Sequence, residues 1–66
     1  MKVRSGKLID RWINHAGAWV TLQTPRGGIV HVRVLDEHIA DAKRIWGGTP
    51  VHYVYRGGRP FYDPSF

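Results

Sequence analysis

"LDEHIADAKRIWGG", residues 35–48, interrupts a chain that otherwise alternates with a period of two. Leu35, Ile39, Ala42 and Trp46 recur at spacings of four, three and four, which stacks them on one stripe of a helix of about ten residues. Asp36 offers an N-cap, acids gather in the first turn, Lys43 and Arg44 stand near the end, and Gly47 or Gly48 stops the helix. A helix with one apolar stripe packs by one side only, so Trp46 is read as a plug in the core rather than a ligand platform. Asp36, Glu37 and Asp41 fall on the exposed side.

The segments on either side of this helix read as strands. "GAWVTLQTPRGGIVHVRV", residues 17–34, sends Ala18, Val20 and Leu22 to one face and Trp19, Thr21 and Gln23 to the other. After a turn at Pro25 and Gly27 or Gly28, Val30, Val32 and Val34 rejoin the first face, and His31 and Arg33 join the second. Upstream, "KVRSGKLIDRWI", residues 2–13, is a strand of about ten residues. Its phase breaks near Gly6, because Val3 is the apolar residue before it and both Leu8 and Ile9 are interior candidates after it; a bulge at the glycine produces this pattern. "NHAG", residues 14–17, turns the chain. Downstream, "PVHYVYR" (50–56) passes through "RGGR" (56–59) into "PFYDPSF" (60–66), and the Gly57 and Gly58 pair is a hairpin signal. Pro60 and Pro64 mark the last strand as an edge that ends quickly. Tyr53, Tyr55, Phe61 and Tyr62 must divide between core and surface, and parity leaves the division open.

Three antiparallel strands with a long bulged first one, then a helix, then two more strands: this is an all-β chain with one helix in the order β1-β2-β3-α-β4-β5. That order is the one of the OB-fold, a five-stranded Greek-key barrel. An SH3-like barrel also has five strands, with only a short helical turn before the last, and the helix after strand three favours the OB-like arrangement. In local wording, "VRSGKLIDR" (3–11), "AWVTLQTPRGGIVHVRV" (18–34) and "IWGGTPVHYVYR" (45–56) resemble the small OB domains of nucleic-acid enzymes. Examples are the anticodon-binding domain of class II aminoacyl-tRNA synthetases and the OB domain of replicative DNA polymerase alpha subunits. The resemblance covers nearly the whole chain at the level of pattern and implies a nucleic-acid-binding module. The aromatic RNA-binding strand of the cold-shock type is missing.

With 66 residues the chain is one domain, 1–66, and a domain this small buries only about 60% of its unfolded surface. It has no cysteine, which removes disulfides and thiolate metal sites. His15, His31, His38 and His52 are too widely spaced for a zinc pattern, so neither metal nor cofactor is expected. No stretch of about 18 apolar residues and no signal-peptide pattern occurs, which reads as a cytoplasmic protein without membrane contact. Catalysis is not expected. No serine sits in a nucleophile elbow, "RGG" is too short for a phosphate loop, and most acids cap the helix.

Binding has a stronger basis. The formal charge of +5 and a pI near 10.3 favour an anionic partner, nucleic acid being the commonest. OB-folds bind oligonucleotides on strands two and three and the adjacent loops. Here that surface comprises Trp19, Thr21, Gln23, His31 and Arg33, with His15 in the first turn, Arg26 in the first hairpin loop, and Arg56 and Arg59 in the last. Single-stranded DNA or RNA is expected over duplex, because the one helix is acidic where a major-groove reader would be basic. Two alternatives stand beside this reading: "YDPSF" covers Trp19, or the domain docks on a protein as an accessory or inhibitory subunit. Both monomer and homodimer fit.

Overall fold

A strand of eleven residues shared between two neighbours is what closes this barrel. The computed structural model describes residues 2–64. Its elements are β1 (Arg4–Asn14), β2 (Gly17–Gln23), β3 (Ile29–Val34), a 3-10 turn (Asp36–His38) running into α1 (Ile39–Lys43), β4 (Pro50–Arg56) and β5 (Arg59–Tyr62). The first part of β1 pairs antiparallel with β4, from Arg4 with Tyr53 to Lys7 with Pro50. The remainder pairs with β2, from Lys7 with Gln23 to Asn14 with Gly17. The strands close in the order β1-β2-β3-β5-β4, with β3 and β5 parallel through Arg33 and Phe61. This is the OB-like Greek-key arrangement that the order of elements predicts.

β1 serves two partners because of Gly6 and a bulge, and the two are not at the same place. Gly6 is buried where a Cβ would lie 3.0 Å from both the Gln23 carbonyl oxygen and the Leu22 Cβ, so only glycine allows the strands to approach there. The register shift expected at Gly6 falls instead between Leu8 and Asp10. Leu8 goes to the core, and Ile9, the extra residue, is 50% exposed. The backbone accounts for the position. Leu8 N–H donates to the Thr49 carbonyl at 3.0 Å and the Leu8 carbonyl accepts from Gly48 N–H at 2.8 Å, which are the last bonds to the β4 side before the strand bends away.

The core consists of Leu8, Ala18, Val20, Leu22, Val32, Val34, Ala42, Val51 and Tyr53, and it is drawn from the faces that alternation assigns. α1 is shorter than its periodicity suggests. Leu35, not Asp36, is the N-cap of the 3-10 turn, without a side-chain hydrogen bond, and α1 has five residues of which Ala42 alone is fully buried. Ile39 and Ile45 complete the packing, and Trp46 is 82% exposed. The expected core plug is therefore overturned. The helix ends before Trp46, so the fourfold step from Ala42 no longer applies. A side chain terminates it: Arg11 Nη1 donates to the Ala42 carbonyl at 2.6 Å and to the Ile45 carbonyl at 2.7 Å.

The last strand is also placed differently from expectation. It is not an edge, since β5 lies between β3 and β4. Closure of the barrel gives it two neighbours, and Pro60 is accommodated opposite Tyr55. The aromatic quartet divides cleanly. Tyr53 is in the core with Tyr62 packed against it from the opposite register position, Phe61 is half-buried, and Tyr55 is exposed.

Candidate nucleic-acid interface

Side chains of register partners share a face, so the pairings lay out the outer surface in rows across the strands. One row runs through Trp12, Trp19, Arg33 and Phe61 across β1, β2, β3 and β5, and Val54, the register partner of Phe61 on β4, is buried. At about 4.8 Å between strands, Trp12 and Trp19 rise from adjacent positions, and Phe61 stands two strands, or roughly 10 Å, from Trp19. Arg33 fills the interval. Its guanidinium lies over the Trp19 ring, 5.3 Å from the centroid, which fixes the indole and leaves the in-plane N–H groups as donors. The benzo end of the Trp19 ring packs against Gly17, where a Cβ would come within 2.8 Å of the indole Cη2. Trp19 is half-buried by these contacts, and Trp12 is 67% exposed. The alternative in which the C-terminal tail covers Trp19 turns on a segment whose last residues, 65 and 66, lie outside the described ones.

The next row is polar. Asp10, Thr21 and His31 are register partners, and Thr21 Oγ1 lies 3.0 Å from His31 Nδ1, a hydrogen bond whose donor depends on the ring tautomer. Beyond it come Lys7, Gln23 and Ile29. The five expected strand residues Trp19, Thr21, Gln23, His31 and Arg33 thus share one surface. Arg59 precedes Phe61 by two residues and pairs with Arg56, so in the parallel register of β3 and β5 this pair extends the face beside His31. Arg26 and His15 are not brought together with each other. They occupy opposite ends of the β2–β3 hairpin, His15 in the turn before β2, where Asn14 Oδ1 accepts from Ala16 N–H at 2.8 Å, and Arg26 in the loop after it.

Sequence reasoning missed three aromatic residues. Trp12 has a signal in the chain: a two-residue turn at His15 and Ala16 pairs positions summing to 31, which sets Trp12 against Trp19. Phe61 depends on the parallel β3 and β5 contact, and Trp46 on where the helix ends; neither is encoded locally. Among the described residues no group of three His, Asp or Glu side chains is placed to hold a metal ion. No helix there is long and apolar enough to cross a membrane. What the face offers chemically is ring surface and cationic donors. Comparison with protein-family models, with curated proteins and with solved structures gives no match to this chain.

Proposed function

We propose that the protein is a non-catalytic module that binds single-stranded nucleic acid across the outer face of β2 and β3. The observation that carries this reading is the row Trp12, Trp19, Arg33 and Phe61. Unpaired bases have π-faces that stack on such rings whatever their sequence, and Arg33, Arg56 and Arg59 supply charge for the phosphates between them. The strand runs across the β-strands, from β1 toward the turn between β4 and β5. The Thr21 and His31 pair flanks its path as a hydrogen-bonding edge.

The test is a titration with DNA and RNA oligonucleotides of about ten nucleotides, read by tryptophan fluorescence at low and moderate salt. Quenching is expected, with log K falling by about 0.7 per phosphate neutralised for each decade of salt. Trp19→Ala should weaken binding about 5- to 150-fold, the equivalent of roughly 1–3 kcal/mol for one stacked base. Trp12→Ala should fall in the same range. If neither polymer binds at low salt, the reading is lost. Salt-insensitive stoichiometric association with a protein would then favour an accessory subunit docking through the exposed Ile9, Trp12 and Trp46.

A further inference from the structure

Charge is segregated along the barrel. Asp36, Glu37 and Asp41 lie on the 3-10 turn and α1, at the helix-capped end. Lys2, Arg4, Lys7 and Arg26 lie toward the other end, where the start of β1 meets the β2–β3 loop. Like charges gathered at one end repel one another, which disfavours the fold slightly and is relieved by a bound anion.

This end also has shape. Lys2, Arg4, Ser5, Thr24, Arg26 and Tyr53 line a concavity of about 420 Å³, and a second of about 540 Å³ adjoins it through Ser5, Thr24 and Pro25 and extends to Lys7. Tyr53, at 4% exposure, is the floor. Arg4 is stacked on the Tyr55 ring, 5.2 Å from its centroid, which pre-orders the guanidinium and leaves its edge donors available. Thr24 Oγ1 accepts from Gly28 N–H at 3.1 Å, so its own O–H is left to donate outward.

We propose that this open end is a second site, separate from the stacking face, that takes the phosphate backbone of duplex nucleic acid without reading its sequence. Donors for phosphate oxygens predominate there: of the two rings, Tyr53 is buried and Tyr55, 42% exposed, already carries the Arg4 guanidinium on its face. A duplex presents that combination, with phosphates outside and bases withdrawn. The end of a barrel measuring 31 × 26 × 20 Å is wide enough to face a groove about 6 or 12 Å across. The inference does not depend on the stacking face. A protein with both sites would sit at a junction between paired and unpaired strands.

The experiment uses the full chain with a blunt DNA duplex of about two helical turns, titrated at several salt concentrations. The wild type is expected to bind without the quench seen with single strands, with a log-log salt slope of about −0.9 per phosphate contacted. The triple variant Lys2→Gln, Arg4→Gln, Arg26→Gln should flatten that slope by about two to three and weaken binding at least about tenfold at low salt. Arg26→Gln alone, in an exposed loop, should flatten it by about 0.9 and covers the case in which the triple variant folds poorly. Trp12→Ala and Trp19→Ala should leave duplex affinity unchanged. Absence of duplex binding, no loss in the charge variants, or an equal loss in the tryptophan variants overturns the proposal. Polyglutamate binding as tightly as the duplex also overturns it and reassigns the site to an acidic peptide. Loss of the single-strand quench with duplex binding retained removes the stacking reading alone.

Discussion

Trp19 keeps its place through two neighbours that differ in kind: Gly17, which yields space for the benzo end of the ring, and Arg33, which supplies charge over it. Gly17→Ala should therefore act on the indole and on the local backbone together, because the new Cβ would meet the ring at 2.8 Å and the φ of 155° disfavours any residue with a side chain. The ring must turn outward, with a shift in tryptophan emission and weakened stacking, while the core valines remain packed. Gly6→Ala is the contrasting case. Its Cβ meets backbone and a core Cβ at 3.0 Å, neither of which can swing away, so a loss of about 1–3 kcal/mol is expected in chemical denaturation. Trp46→Ala should change stability by no more than about 0.5 kcal/mol, since the ring is 82% exposed. A core plug would cost about 3–5 kcal/mol, so one denaturation curve separates the two roles. The sequence assigned Trp46 to the core because Ala42 and Trp46 are four apart, and spacing carries meaning only while the helix lasts.

At the scale of elements, legibility follows from how local the determining contact is. The β2–β3 hairpin could be read directly, because the strict alternation from Ala18 to Leu22 and from Val30 to Val34 records which face is buried. The turn between β4 and β5 was equally clear. Gly57 and Gly58 have φ values of 58° and 78°, the pair of left-handed angles that a two-residue turn between right-twisted strands requires. Gly57→Asn should be tolerated nearly fully, since asparagine visits this region, whereas Gly58→Val should cost about 1–2 kcal/mol in thermal or chemical denaturation. A comparable loss in both variants would show that flexibility, not handedness, matters at this turn. α1 and the bulge were misplaced for the opposite reason. The helix ends where Arg11 reaches the Ala42 and Ile45 carbonyls from more than thirty residues away, and β1 bends where residues 48 and 49 release it. Likewise β5 gains its second neighbour only when the barrel closes, so its prolines suggested an edge that topology removes.

Closure also sets how the whole molecule responds to alkali, because it packs two phenols, those of the register partners Tyr53 and Tyr62, into and against the core. Tyr53 has its pKa pushed up, chiefly by burial and further by the neighbouring Tyr55, against the pull of Arg4 toward the ionised form. Tyr62 is pushed up by burial, then by Asp41 and Asp63. Both phenols thus hold their protons more tightly in the folded chain than in the unfolded one, where the value is about 10. Below that pH the two states bind equal numbers of these protons, and the phenols add no slope. As pH rises above about 10, the unfolded state loses its phenolic protons first, so folding stability falls until the folded pKa values have been passed. Denaturation midpoints measured across this alkaline range should therefore drop together with the rise in tyrosinate absorbance. Tyr53→Phe keeps the ring that floors the open end and removes the titrating oxygen, and Tyr62→Phe does the same beside α1. The double variant should retain its midpoint near neutrality and lose part of the alkaline slope. An unchanged slope would mean that these phenols ionise alike in the folded and unfolded chain.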